Sequence, residues 1–144
     1  MEAKELRIGN YVHHKANTWS SRVDTHPNNK SFDFIWDESD WYGLCQGLMF
    51  LEYIEPIPIT EEWLLRFGFE ENDGMYNNFV IPCDEVGSKH SARYVKSPFE
   101  DENGWFYNND QSDASCYEIR KIEHVHQLQN LYFALTGNEL KLKE

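Results

Sequence analysis

No apolar run in this chain reaches the length of a membrane span; the longest candidate, Gly47 to Tyr53, is strand-sized. The first residues, Met1-Glu2-Ala3-Lys4-Glu5-Leu6-Arg7, carry acids where a secretory signal needs an apolar core, so no signal peptide is expected. Cysteine is scarce: Cys45, Cys83 and Cys116 are far apart and odd in number, which argues against a disulfide framework and for a reducing, cytoplasmic setting. Bases are scarcest of all in the middle of the chain. Between Ser31 and Ser88 thirteen acids face a single base, Arg66, within a total net charge of −12. A phosphate backbone is held largely by Lys and Arg, so direct nucleic-acid binding is not expected. Gly-rich phosphate loops and Gly-x-Ser-x-Gly elbows are also missing. Gly43-Leu44-Cys45-Gln46-Gly47 has the outer glycines of such an elbow around a cysteine, but apolar, strand-like residues follow it instead of a helix.

What the chain does have is core material. Its 144 residues are 40% hydrophobic and 15% aromatic, enough for one domain with a sizeable interior. Leu6 to Val12 reads as a strand with a Gly-Asn kink, His13 to Ser31 as a long polar loop, and Phe32 to Asp37 as a strand with an aromatic face. Gly47 to Glu55 reads as a further strand, stopped by Pro56 and Pro58. Thr60 is a helix N-cap, with Glu61 and Glu62 in the first turn and Ile59 and Leu64 at hydrophobic-staple spacing, so a helix is expected over 61–67, ended by Gly68.

Beyond it, Asp73-Gly74 and Asn103-Gly104 are hairpin turn dipeptides between strands such as Phe69–Glu71, Met75–Ile81, Trp105–Tyr107 and Cys116–Ile119. Val125, Leu128, Leu131, Tyr132 and Leu135 mark one stripe of a helix over 124–136, with Gly137 as its stop. Leu140 and Leu142, alternating with lysines, read as a last short strand. The expected class is α+β: an antiparallel sheet, with a small barrel-like N-terminal half, and two helices near 61–67 and 124–136. We treat 1–144 as one domain, divisible into a β-rich half over 1–58 and a helix-sheet-helix half over 59–144.

Candidate chemistry is thin. His124 and His126 with Cys116 and Asp113 match no zinc spacing, and two residues apart at a helix start the rings should diverge, His124 at the cap and His126 on the exposed side. His13 and His14 face opposite ways on any strand and read as surface. The acidic clusters 37–40, 70–74 and 100–104 lack the ligand order of a calcium loop. No catalytic, cofactor or metal site is therefore assigned. Aromatics alternating on a strand are core residues first. Trp36, Trp41 and Tyr42, beside Asp37 and Asp40, form the one candidate binding surface, with Trp41 and Tyr42 as its exposed pair.

Three blocks carry a resemblance: Leu6-Arg7-Ile8-Gly9-Asn10-Tyr11-Val12, then Ile54-Glu55-Pro56-Ile57-Pro58-Ile59-Thr60-Glu61-Glu62-Trp63-Leu64-Leu65-Arg66-Phe67-Gly68-Phe69, then Val125-His126-Gln127-Leu128-Gln129-Asn130-Leu131-Tyr132-Phe133-Ala134-Leu135-Thr136-Gly137. Together they make about a quarter of the chain and resemble a family of small proteins from gut-anaerobe bacteria and their prophages or mobile elements. The resemblance implies a small cytoplasmic protein and brings no active-site residues. The expected function is a non-enzymatic accessory or protein-interaction role with an unknown protein partner and no membrane. The alternatives are an acidic nucleic-acid-mimicking decoy for a host DNA-binding protein and a carbohydrate-binding module.

Overall fold

Alternation of apolar and polar residues with period two, interrupted by capped helices, folds the described residues of this chain into two antiparallel sheets and three α-helices. The computed structural model describes residues 1–25, 30–71, 78–82, 89–95, 104–110 and 116–143. The chain divides into two compact units, one made of 1–58 with 124–131 and the other of 59–123 with 132–144. Among the described residues no helix is long and apolar enough to cross a membrane.

In the first unit, β1 (Tyr11–His14) is the centre of a three-stranded sheet. It pairs with β2 (Phe32–Ile35) on one side and β3 (Ile54–Glu55) on the other, both antiparallel. The sheet is open, so the barrel-like half expected from sequence is not formed. Its inner face buries Val12, Phe34 and Ile54 against Leu6, Trp36 and Met49. Burying apolar surface at roughly 25 cal/mol per Å² is the main force holding so small a sheet.

Several boundaries differ from the sequence reading. The first strand starts at Tyr11, so only the end of the expected Leu6–Val12 strand pairs. The expected loop 13–31 contributes His14 to the core and forms a 3-10 turn over Ser21–Thr25. Of the expected strand Gly47–Glu55 only Ile54–Glu55 pairs, because Leu51–Tyr53 is a 3-10 turn.

A helix that the sequence reading did not anticipate, α1 (Glu38–Gln46), follows β2. Asp37 caps it by accepting from the amides of Ser39 and Asp40, and the Asp40 carboxylate accepts from the Asp37 amide in return. Gly47 closes it in the left-handed region at φ 70°, where its amide reaches back to Gly43 and Leu44. Gly43 is buried, and a Cβ there would lie 3.3 Å from both Met49 Cβ and Ser21 Oγ. The glycine pair around Cys45 is therefore helix packing and helix termination, with Cys45 exposed in the last turn.

The second unit holds α2 (Glu61–Arg66), capped by Thr60 Oγ1 accepting from the Trp63 amide at 3.4 Å, with Ile59 and Leu64 buried as expected. Its sheet runs β4 (Glu70–Glu71), β5 (Asn78–Pro82), β6 (Lys89–Val95), β7 (Gly104–Asp110) and β8 (Cys116–Ile122) in that spatial order, all antiparallel. Phe79, Ala92 and Tyr107 occupy one cross-strand row and are all buried. The Asp73-Gly74 turn, Asn103, Asp113 and the acidic cluster 100–102 lie outside the described residues.

The last helix, α3 (Val125–Thr136), buries Val125, Leu128 and Tyr132, whereas Leu135 is exposed. Leu140 to Leu142 forms no strand. Leu140 is buried, and the Lys143 amide donates to the carbonyl of Arg66 at 2.7 Å.

Candidate functional site

Strand alternation on β1 sends Val12 and His14 into the core and leaves Tyr11 and His13 on the outer face. The register places His13 directly opposite Asp33 on β2 and Glu55 on β3. A carboxylate–imidazole–carboxylate row thus crosses the outward face of the sheet. His13 Nδ1 lies 2.6 Å from Asp33 Oδ1, and Lys15 Nζ reaches Glu55 at a looser 3.7 Å. Beside this row is an open groove of about 460 Å³ lined by His13, Glu55, Pro56, Ile57 and Pro58. The prolines have no amide to continue the β3 ladder, so the chain leaves the sheet there and forms an apolar wall next to an exposed carboxylate.

The other polar clusters of this unit are closed. Arg22 donates from Nε and Nη2 to both oxygens of buried Asp40, at 2.7 and 2.6 Å, and also pairs with Asp37 and the carbonyl of Ile35. Burial pushes the Asp37 carboxyl up, but the Ser39 hydrogen bonds and Arg22 outweigh it and hold the pKa at about 2. The acids at 37–40, read as a cluster in sequence, are a helix cap and a buried ion pair.

His14 and Ser20 form a second closed pair. His14 Nδ1 lies 2.9 Å from the carbonyl of Lys15, which only accepts, so Nδ1 carries the proton. Nε2 then accepts from the Ser20 hydroxyl at 2.8 Å. This is the contact of a nucleophile with its base. Both residues are fully buried, however, the His14 ring is stacked on Phe32, and Ser20 Oγ also accepts from the Arg22 amide. The pair fixes the loop after β1 in place.

At the head of α3 the sequence expectation fails. His126 is only 2% exposed and lies under the ring of His124 in a near-parallel stack, 5.7 Å between centroids. The rings do not diverge because His124 lies outside the helix, in a bridge with Pro58. Among the described residues no three His, Cys, Asp or Glu side chains converge to hold a metal ion.

The three aromatic candidates do not make a common surface. Trp36 is fully buried, Trp41 is half-buried with its ring edge-on to Trp36, and Tyr42 alone is exposed, at 67%. Tyr42 borders a smaller groove of about 270 Å³ with Ser21, Arg22, Ser39, Gly43 and Leu48.

The His13 row was not found from sequence because its partners lie 20 and 42 residues further along the chain. The only signal was that His13 and His14 must face opposite ways. No known family, curated protein or solved structure matches the chain.

Proposed function

We propose that this chain is a non-enzymatic interaction protein that docks a partner on the outward face of the first sheet. The partner segment is extended, apolar and studded with lysine or arginine. One observation carries this reading: the Asp33–His13–Glu55 row is exposed beside the Pro56–Ile57–Pro58 wall, while the neighbouring ionic clusters are consumed internally. Glu55 is half-exposed, and its ion pair with Lys15 among the described residues is loose at 3.7 Å, so a stronger cationic partner can displace that lysine. The net charge of −12 steers basic partners in the same direction. A bacterial or phage cytoplasm as its setting rests on the three resembling sequence blocks.

The decoy reading is less well supported, since Asp37 and Asp40 are engaged by Arg22 within their own unit. A sugar-binding reading retains only Tyr42 of its three aromatics.

The test is an array of extended basic peptides, with affinities measured by fluorescence anisotropy on the whole chain. Wild type binds a lysine- or arginine-bearing apolar subset, and Glu55→Lys weakens that binding at least ten-fold while Glu61→Lys does not. Binding indifferent to Glu55→Lys, or no binding across the array, refutes the docking face. A fluorophosphonate adduct on Ser20 would refute the non-enzymatic role; none is expected, because the hydroxyl is enclosed.

A further inference from the structure

Among the described residues, the imidazole pair of His124 and His126 is the titratable group with buried, unpartnered ring nitrogens. Both ring nitrogens of His126 and Nδ1 of His124 are buried without a hydrogen-bond partner. A neutral ring tolerates that environment far better than an imidazolium, which would bring two N–H donors and a charge to a place with no acceptor. The ionisable groups facing His126 are His124 on the same junction, Glu5 on the 3-10 turn Ala3–Glu5, and the α-amino group of Met1. The adjoining Pro56, Ile57 and Pro58 bring no ionisable side chain. Burial first, and then His124, hold the His126 pKa down at about 4 despite the opposing pull of Glu5.

The same junction anchors the wall of the groove. The Val125 amide donates to the Ile57 carbonyl at 2.8 Å, and Pro58 bridges His124. We propose that the His124–His126 stack is an acid-sensitive latch: protonation drives the rings out of their buried stack and releases the 56–58 segment from the head of α3. The effect of release on partner binding rests on the docking reading above, whereas the latch is a property of the free chain.

Amide exchange by NMR on the whole free chain tests it, with rates converted to protection factors so that the intrinsic pH dependence of exchange cancels. Between pH 7 and pH 5 protection at Val125 falls by about ten- to thirty-fold, as expected when the closed ring titrates near 4 and the open one near 6.5. In His126→Phe, and in His126→Gln as a second variant, the fall at Val125 is abolished. The proposal is overturned by an undiminished fall in the variants. It is equally overturned if the wild-type His126 ring titrates near 6.5, by its Cε1 proton shift, while Val125 stays protected. That last measurement decides the matter even where a variant does not fold. Failure of the latch leaves peptide affinity at pH 7 intact, and failure of the docking face leaves the exchange result intact.

Discussion

Asp40 is a buried charge whose counter-charge, Arg22, reaches it from the half-buried rim of the unit. Removing the guanidinium leaves Asp40 buried without its counter-charge, so Arg22→Ala is expected to cost about 3 kcal/mol by urea unfolding at pH 7. The Arg22 side chain also covers the Phe34 ring, 5.1 Å from its centroid, and that packing is lost as well. His126 gives the opposite kind of residue effect. Its folded pKa of about 4 is below the ordinary 6.5, so between those values the unfolded chain binds more protons. Stability therefore declines as the pH falls from 6.5 to 4, by at most roughly 3 kcal/mol, and His126→Phe flattens that decline in urea midpoints. Asp37 acts in a lower window. Its pKa is held at about 2 against 3.8, so its contribution is complete above 3.8 and is lost as the pH falls through 2. Nearly half-exposed, it contributes well under about 1 kcal/mol.

At the scale of elements, α2 was legible and α1 was not, for a physical reason. Thr60, the acids after it and the Ile59–Leu64 staple are local signals, and they predicted α2 to within a residue. The fully buried residues of α1 are Asp40 and Gly43, and the apolar residues it packs on the core, Trp41 and Leu44, are too few to set a detectable helical period. Its ends were nonetheless written in the sequence, as an Asp37–Asp40 capping box and a terminal Gly47. Gly47→Ala places a Cβ in the left-handed region and is expected to cost about 1 kcal/mol, checked by chemical denaturation of the whole chain. The stretch after it misled in the other direction. Its apolar composition suggested a strand, but Met49 is buried beside Gly43 and the chain then turns through Leu51–Tyr53 before pairing.

At the scale of the whole molecule, the α+β class and the aromatic core around Phe34 followed from pattern alone, whereas Trp36, read as part of a binding surface, lies inside that core. The long-range pairings did not. Two of the sequence blocks acquire a physical meaning only once folded, because Gln129 and Asn130 of α3 hydrogen-bond the N-terminal segment. Tyr11 N donates to Gln129 Oε1 at 2.9 Å, Gln129 Nε2 to the Gly9 carbonyl at 2.9 Å, and Asn10 Nδ2 to Asn130 Oδ1 at 3.0 Å. Gln129→Ala removes the partner of the half-buried Tyr11 amide and Gly9 carbonyl and is expected to cost about 1–2 kcal/mol in unfolding free energy.

The same blindness to pairing hid the Asp33–His13–Glu55 row, on which the proposed docking face depends. Its most direct test is an NMR titration of the whole chain with the tightest basic peptide from the array. Amide shifts are expected to concentrate at His13, Asp33, Glu55 and Ile57 and to weaken as salt rises. Saturable shifts centred instead on Ser20 and His14, or on Tyr42, would contradict it.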